Sequence, residues 1–231
     1  MLSSVCSIGL LNERSLHAAL KDLYMTKSAE SEVKIGRSIV DILVPPDHVI
    51  EIQTSSFFKI RSKIERLLPS YKVKIVYPVA QRKHILVYDK KGKKILANRK
   101  SPKKAGLHDA AFELSGLRNL IGNPNLSIDI VFIEEEEIRK NDGKGSWRRR
   151  GISITDRRLV SVKETIHFAN KADFLRFLPA DCPALFSNKD LAKIQHIPVH
   201  RAQQVTFLLR KIGLLEVKKK NGRSFIFGII H

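Results

Sequence analysis

Apolar positions recur along this chain at two periods. Leu16, Ala19, Leu20 and Leu23 share one face of a 3.6-residue repeat, which predicts a helix over residues 12 to 24. Asn12 is suited to cap it, and Glu13 lies in the first turn, where the helix dipole favours a carboxylate. Three strand-like runs follow at Glu32–Ile35, Ser38–Val44 and His48–Gln53, divided by Gly36-Arg37 and Pro45-Pro46-Asp47. Helical spacing returns through Phe57, Ile60, Ile64, Leu67 and Leu68, ending at Pro69-Ser70. Strands are then predicted at Lys72–Val79, His84–Tyr88 and Lys93–Ala97, a helix at Leu107–Ile121, and a strand at Leu126–Ile133. Residues 134–150 are highly polar and include Gly143, Gly145 and Arg148-Arg149-Arg150, and Ile152–Phe168 reads as loose β structure.

A compositional shift near Asn170 divides the chain into a mixed α/β part, residues 1–169, and a smaller part, residues 170–231. In the second part Ser187 caps a short helix, Asn188–Ile194, and Pro198 opens a longer one whose apolar face is Val199, Ala202, Val205, Leu209 and Ile212. Strands at Leu214–Lys218 and Ser224–Ile229 flank Asn221-Gly222, a hairpin signal. Helix, turn, helix and hairpin is the winged-helix order.

Charge changes the picture. Of 231 residues, 42 are Lys or Arg and 23 are Asp or Glu, a formal charge of +19 that attracts polyanions. No run of about 18 apolar residues exists, which argues against a membrane span. The apolar stretch Val5–Leu11 lacks a preceding basic region and runs into Asn12-Glu13-Arg14, so a secretory signal is not expected. Two cysteines, Cys6 and Cys182, are too few for a disulfide framework or a zinc site. The expectation is a soluble, cytoplasmic protein with a nucleic-acid partner.

The candidate chemistry lies between residues 39 and 53. Asp41 interrupts one apolar strand and Glu51 the next, and a carboxylate in an apolar strand is costly to bury unless paired or metal-bound. If Val44 pairs with His48 across the turn, Asp41 falls opposite Glu51, with Gln53 on the same face. Two opposed carboxylates repel, and a hard divalent cation such as Mg²⁺ or Mn²⁺ relieves that repulsion. The pattern alone also fits two carboxylates on a solvated hairpin face.

The order helix, three strands, helix, strand, with Asp41 on the second strand and Glu51-Ile52-Gln53 on the third, resembles the PD-(D/E)XK nuclease superfamily over roughly residues 12 to 80. The resemblance implies a restriction-endonuclease-like mixed sheet flanked by helices and a metal-dependent deoxyribonuclease that hydrolyses phosphodiester bonds. Asp41, Glu51 and the Ile52 carbonyl would then hold Mg²⁺ or Mn²⁺, Gln53 would orient water or phosphate, and Glu13 would assist from the first helix. Val40 replaces the motif proline and Gln53 the usual lysine. The literal Pro46-Asp47 falls in the turn, too near Glu51 to be the motif. Lys34, Lys59 and Lys63 are the nearby lysines that could compensate, although each also fits a solvated charge. The stretch Glu51-Ile52-Gln53-Thr54-Ser55-Ser56-Phe57-Phe58, with Arg99-Lys100-Ser101-Pro102, also resembles an uncharacterised bacterial group whose nuclease-like domain precedes a winged helix. Nucleases of this superfamily often act as dimers, so a homodimer is among the states implied. The competing reading, favoured by Gln53, is a catalytically inactive nuclease-like protein or regulator that binds DNA through its winged helix.

In the second part, His200, Arg201, Gln203 and Gln204 lie off the apolar stripe near the start of the longer helix, where such proteins read bases. Lys218, Lys219, Lys220 and Arg223 mark the hairpin as a phosphate-contacting wing. A protein-docking role fits the same module. Trp147, before Arg148-Arg149-Arg150, suits either stacking on a base or anchoring its loop. Lys103 and Lys104 are expected in a solvated basic loop, the Glu134–Glu137 run is expected to point away from DNA, and His17, one turn after Glu13, could face the site but reads first as an ordinary surface or core histidine.

Overall fold

The computed structural model describes residues 15–230. Its element order is α1 (Ser15–Tyr24), β1 (Glu30–Ile35), β2 (Ser38–Val44), β3 (His48–Ile52), α2 (Phe57–Leu67), β4 (Lys72–Tyr88), β5 (Ile95–Lys100), α3 (Ala111–Leu114), β6 (Leu126–Asn141), β7 (Ile152–Phe168), β8 (Leu185–Ser187), α4 (Asn188–Ile194), α5 (Val199–Lys211), β9 (Leu215–Asn221) and β10 (Ser224–Ile229). Short 3-10 turns flank α3 and occupy Ala172–Phe177. Asn12, Glu13 and Cys6 lie outside the described residues.

The architecture is mixed α/β. A seven-stranded sheet runs β1-β2-β3-β4-β6-β7, with β5 paired to the far half of β4. β1, β2 and β3 form an antiparallel meander. The crossover through α2 makes β4 parallel to β3, and β6 is parallel to β4. Parallel strands buried on both faces need near-continuous apolar runs, and Val73–Val79 and Leu126–Ile133 supply them.

The two faces are covered unequally. On one, α1 lays Leu16 and Leu20 over Ile52, Val76, Val131 and Ile133. On the other, α2, the α3 segment and the C-terminal helices bury one continuous apolar cluster that extends from Val40 through Ile75 and Phe132 to Leu209 and Phe227. That cluster crosses residue 170 without a break. A second, three-stranded sheet, ordered β8-β10-β9, backs α4 and α5. Ser187 caps α4 as expected: its hydroxyl accepts from the Asp190 amide at 3.3 Å, and the Asp190 carboxylate accepts from Ser187 N–H at 2.8 Å.

Three elements differ from the periodicity reading. Lys72–Val79 and His84–Tyr88 are one strand, β4, joined through a register shift between Ala80 and Arg82. The helix expected over Leu107–Ile121 is a broken series of short turns. Within it, Gly116 packs so closely on the first turn of α2 that a Cβ would lie 3.0 Å from Phe58 N. The strand expected to end at Ile133 continues through the polar stretch as the second half of β6, because its glutamates alternate between a solvated face and a buried one filled with counter-charges.

Candidate functional site

β2 and β3 pair as Val44↔His48, Leu43↔Val49 and Ile42↔Ile50, the expected register, and the pairing ends there, one position before Asp41 and Glu51. At that point Asp41 Oδ2 accepts the Ile52 N–H at 2.7 Å, so a side chain replaces the ladder bond that the two strands would otherwise make. The Asp41 carboxylate is thereby held at the mouth of the split. His17 Nε2 on α1 lies 3.4 Å from Asp41 Oδ2. The ordinary reading of His17 therefore gives way to one in which it faces the site.

Glu51 is 4% exposed. Both of its oxygens lie 2.6 Å from Lys63 Nζ; Oε2 accepts a hydrogen bond, and Oε1 is left buried without one. Lys63 sits beside Ile64 at the margin of the apolar stripe of α2, so its stem can lie along the sheet while its ammonium reaches Glu51. The expectation of a solvated Lys63 is corrected by this contact. Lys34 and Lys59 are exposed.

Electrostatics separate the two carboxylates. Burial, and then the Asp41 charge, push the Glu51 carboxyl up to about 7 against the attraction of Lys63. Burial also opposes ionisation of Asp41, but the His17 hydrogen bond and charge, the Ile52 amide and Lys63 together hold it below the usual carboxylate range. One acid is thus fixed as a carboxylate and its neighbour titrates near neutrality, a polarisation typical of functional sites.

Gln53 is placed differently from its expected role. Its amide nitrogen donates to Ser56 O at 2.8 Å and lies 3.4 Å from Ser55 Oγ, closing the turn into α2. Asp47 lies at the opposite end of the hairpin, where its carboxylate meets His48 at 2.8 Å and Lys72 at 3.7 Å. Among the described residues no group of three or more His, Cys, Asp or Glu is placed to hold a metal. The donor set is two carboxylates, of which Glu51 keeps one buried oxygen without a hydrogen bond, 2.6 Å from the Lys63 ammonium that a cation would have to displace, and Mg²⁺ commonly takes one or two protein carboxylates and completes its shell with water and phosphate. The residues present fit that requirement.

Sequence reasoning missed two further clusters. Asp129, buried in β6, accepts from Tyr24 Oη at 2.9 Å, lies 2.5 Å from His167 Nδ1 and is 3.4 Å from Lys74. Burial and the adjacent carboxylate push the Tyr24 phenol up. The second cluster corrects the reading of the Glu134–Glu137 run. Glu135 is fully buried, and its Oε2 accepts from Arg157 Nε and Nη2 at 2.9 and 2.6 Å. Lys83 lies 3.0 Å from Glu135 and 2.5 Å from Glu137, which also accepts from Arg139 at 2.7 Å. Four consecutive glutamates carry no alternation that could signal this, and the partners Lys83 and Arg157 come from β4 and β7, with Arg139 from β6 itself.

This network forms one wall of a cavity of about 560 Å³ between the sheet and α5. Arg201 and Gln204 line the opposite side. Arg201 pairs with Asp109 at 3.0 Å and donates to Gln204 Oε1 at 2.9 Å, and Lys103 reaches the same Asp109 at 2.9 Å. Arg201 and Gln204 therefore face the junction with the first part of the chain, whereas His200 and Gln203 are exposed. Lys218, Lys219, Lys220 and Arg223 are exposed on the β9–β10 hairpin, with Lys218 paired to Glu216. Cys182 is a half-buried free thiol, and no described helix is long and apolar enough to cross a membrane.

Residues 14–169, from α1 to the end of β7, match the family described as Domain of unknown function (DUF8091). The chain belongs to that family. The DUF8091 match contains Asp41, Glu51, Lys63 and both buried clusters, and it stops before α4 and α5. A protein of Treponema pallidum (strain Nichols), described as uncharacterized, is 33% identical over 221 residues, covering 96% of this chain and 87% of its own. No solved structure matches.

Proposed function

We propose that this DUF8091 protein is a Mg²⁺-dependent DNA nuclease with a restriction-endonuclease-like core and a C-terminal winged helix. The observation that carries the reading is the convergence of Asp41, Glu51 and Lys63 where β2 and β3 part. The order α1-β1-β2-β3-α2-β4, with β4 parallel to β3, supports it as the arrangement expected of that core. A Mg²⁺ or Mn²⁺ ion held by Asp41, Glu51 and the Ile52 carbonyl would supply Lewis-acid stabilisation to a scissile phosphate. Lys63, reaching Glu51 from α2, would stand in for the missing motif lysine and offer a cation to phosphate. His17 keeps Asp41 ionised, and Gln53 holds the turn that sets α2 over the site. His200, Gln203 and the Lys218–Lys220 and Arg223 wing would contact DNA, while Arg201 and Gln204 tie α5 to the core.

A specific observation favours the rival reading of an inactive DNA-binding protein: Lys63 already neutralises Glu51, in the place of a metal. Cleavage of supercoiled, linear and branched DNA with Mg²⁺ or Mn²⁺ separates the two. Under the nuclease reading Asp41→Asn and Lys63→Met abolish cleavage and keep DNA binding, while Asp47→Ala cleaves normally. Binding without cleavage by the wild type in either metal supports the rival.

A further inference from the structure

β6 and β7 pair as far as Asn141↔Ile152, and residues 142–151 close the tip of this hairpin. The tip is tightly built. Gly145 N–H donates to Gly151 O at 2.8 Å, and Arg149 N–H and Arg150 N–H close a 3-10 turn on Ser146 O and Trp147 O, each at 2.9 Å. Asp142 accepts from Lys144 N–H and from the Ser153 hydroxyl at 3.0 and 2.9 Å. A Cβ on Gly145 would fall 1.9 Å from Ile152 O, so that position admits only glycine without rearrangement.

This ordered loop holds up one apolar group. Trp147 is 85% exposed, so the loop-anchoring reading does not apply. An indole offers roughly 150–250 Å² of surface for burial, and here nearly all of it remains in water. Lys144, Arg148 and Arg150 beside it are exposed, while Arg149 donates its Nε–H to Ile152 O at 3.2 Å. The remaining tip residues are Gly, Ser and Asp, so no second apolar side chain accompanies the indole. A membrane surface or an apolar protein groove calls for more than one such group. A single aromatic plane ringed by cations matches an unpaired base with its flanking phosphates.

We propose that the β6–β7 tip is a binding site for single-stranded nucleic acid, with Trp147 stacked on an unpaired base and Lys144, Arg148 and Arg150 on the adjoining phosphates. This rests on the nucleic-acid part of the function proposed above and is independent of cleavage. It would direct the protein toward DNA with unpaired segments such as gaps, flaps or frayed ends.

Trp147 is the sole tryptophan, so its emission reports on this tip alone. The full chain in EDTA is titrated with a dT oligonucleotide of about 20 residues, a duplex of the same length, heparin and anionic phospholipid vesicles, with anisotropy of labelled DNA measuring occupancy. The oligonucleotide should quench the emission strongly at saturation, and the duplex and heparin should bind while leaving it nearly unchanged. Trp147→Ala should weaken oligonucleotide binding roughly 5- to 100-fold, the loss of one base stack, with duplex affinity unaltered, and Trp147→Phe should recover part of the loss. Unchanged emission with a saturating oligonucleotide overturns the proposal, as does equal quenching by heparin or a response to vesicles alone. Binding without a Trp147 response leaves the nuclease reading standing. A Trp147 response without cleavage in Mg²⁺ or Mn²⁺ defeats the nuclease reading and leaves this one.

Discussion

Replacing Glu51 with glutamine should stabilise the fold at alkaline pH and leave it nearly unchanged in acid. Burial and the neighbouring Asp41 charge push this carboxyl up from 4.5 to about 7. The folded value lies above the unfolded one, so the folded state holds the proton more tightly. The contribution of this group to stability is complete below about 4.5 and is lost as pH rises through about 7. At 1.36 kcal/mol per pH unit the shift corresponds to about 3 kcal/mol. Glutamine keeps the shape of the protonated carboxyl and cannot ionise, so the variant escapes the loss. For a chain of this length 1 kcal/mol moves Tm by about 2–4 °C, so the variant should melt roughly 6–12 °C higher than wild type near pH 8.5 and within a degree or so of it near pH 4.5. The assay is urea and thermal unfolding of both proteins across that range in EDTA, followed by circular dichroism. Taking the difference between the two cancels the titrating groups that do not interact with Glu51, leaving the coupled response of Glu51 with Asp41 and Lys63. Mg²⁺ should then raise wild type alone and narrow the gap at alkaline pH, because the cation relieves the same repulsion. A gap that does not vary with pH, or a variant less stable than wild type near pH 8.5, would refute the reasoning.

Glu135→Gln should cost about 3–5 kcal/mol in urea unfolding, because Arg157 loses its buried counter-charge and Lys83 loses one of its two. Reversing Lys218, Lys219 and Lys220 to glutamate should weaken duplex binding whatever the sequence, measured by anisotropy. Because all three are exposed, unfolding free energy should change by only about 0.5 kcal/mol per site. If six to ten phosphates are contacted, duplex affinity should fall roughly 10³- to 10⁵-fold between about 50 and 200 mM salt, and a flat dependence would count against a DNA partner.

The sequence by itself determined what depends on local backbone geometry. Period-two runs with a Pro-Pro-Asp turn define the β2–β3 hairpin, and the turn length alone sets the register that brings Asp41 and Glu51 together at the end of the pairing. Ser187 and Asp190, three residues apart, specify the start of α4, and Asn221-Gly222 marks the β9–β10 turn. Tertiary structure decided which distant side chains meet these groups. Lys63 reaches Glu51 only because the crossover lays α2 over β3, and Lys34 and Lys59 were equal candidates until that packing was known. His17 reaches Asp41 because α1 lies on the opposite face, over Ile52 and Val76. The glutamates of β6 looked solvated because Lys83 and Arg157 lie on other strands of the sheet. Arg201 looked free to read bases because Asp109 is far from it in sequence. Periodicity reports which face of its own element a residue occupies. Whether a charge on that face stays in water or is buried against a counter-charge depends on the elements packed over it, and here that packing joined segments tens of residues apart.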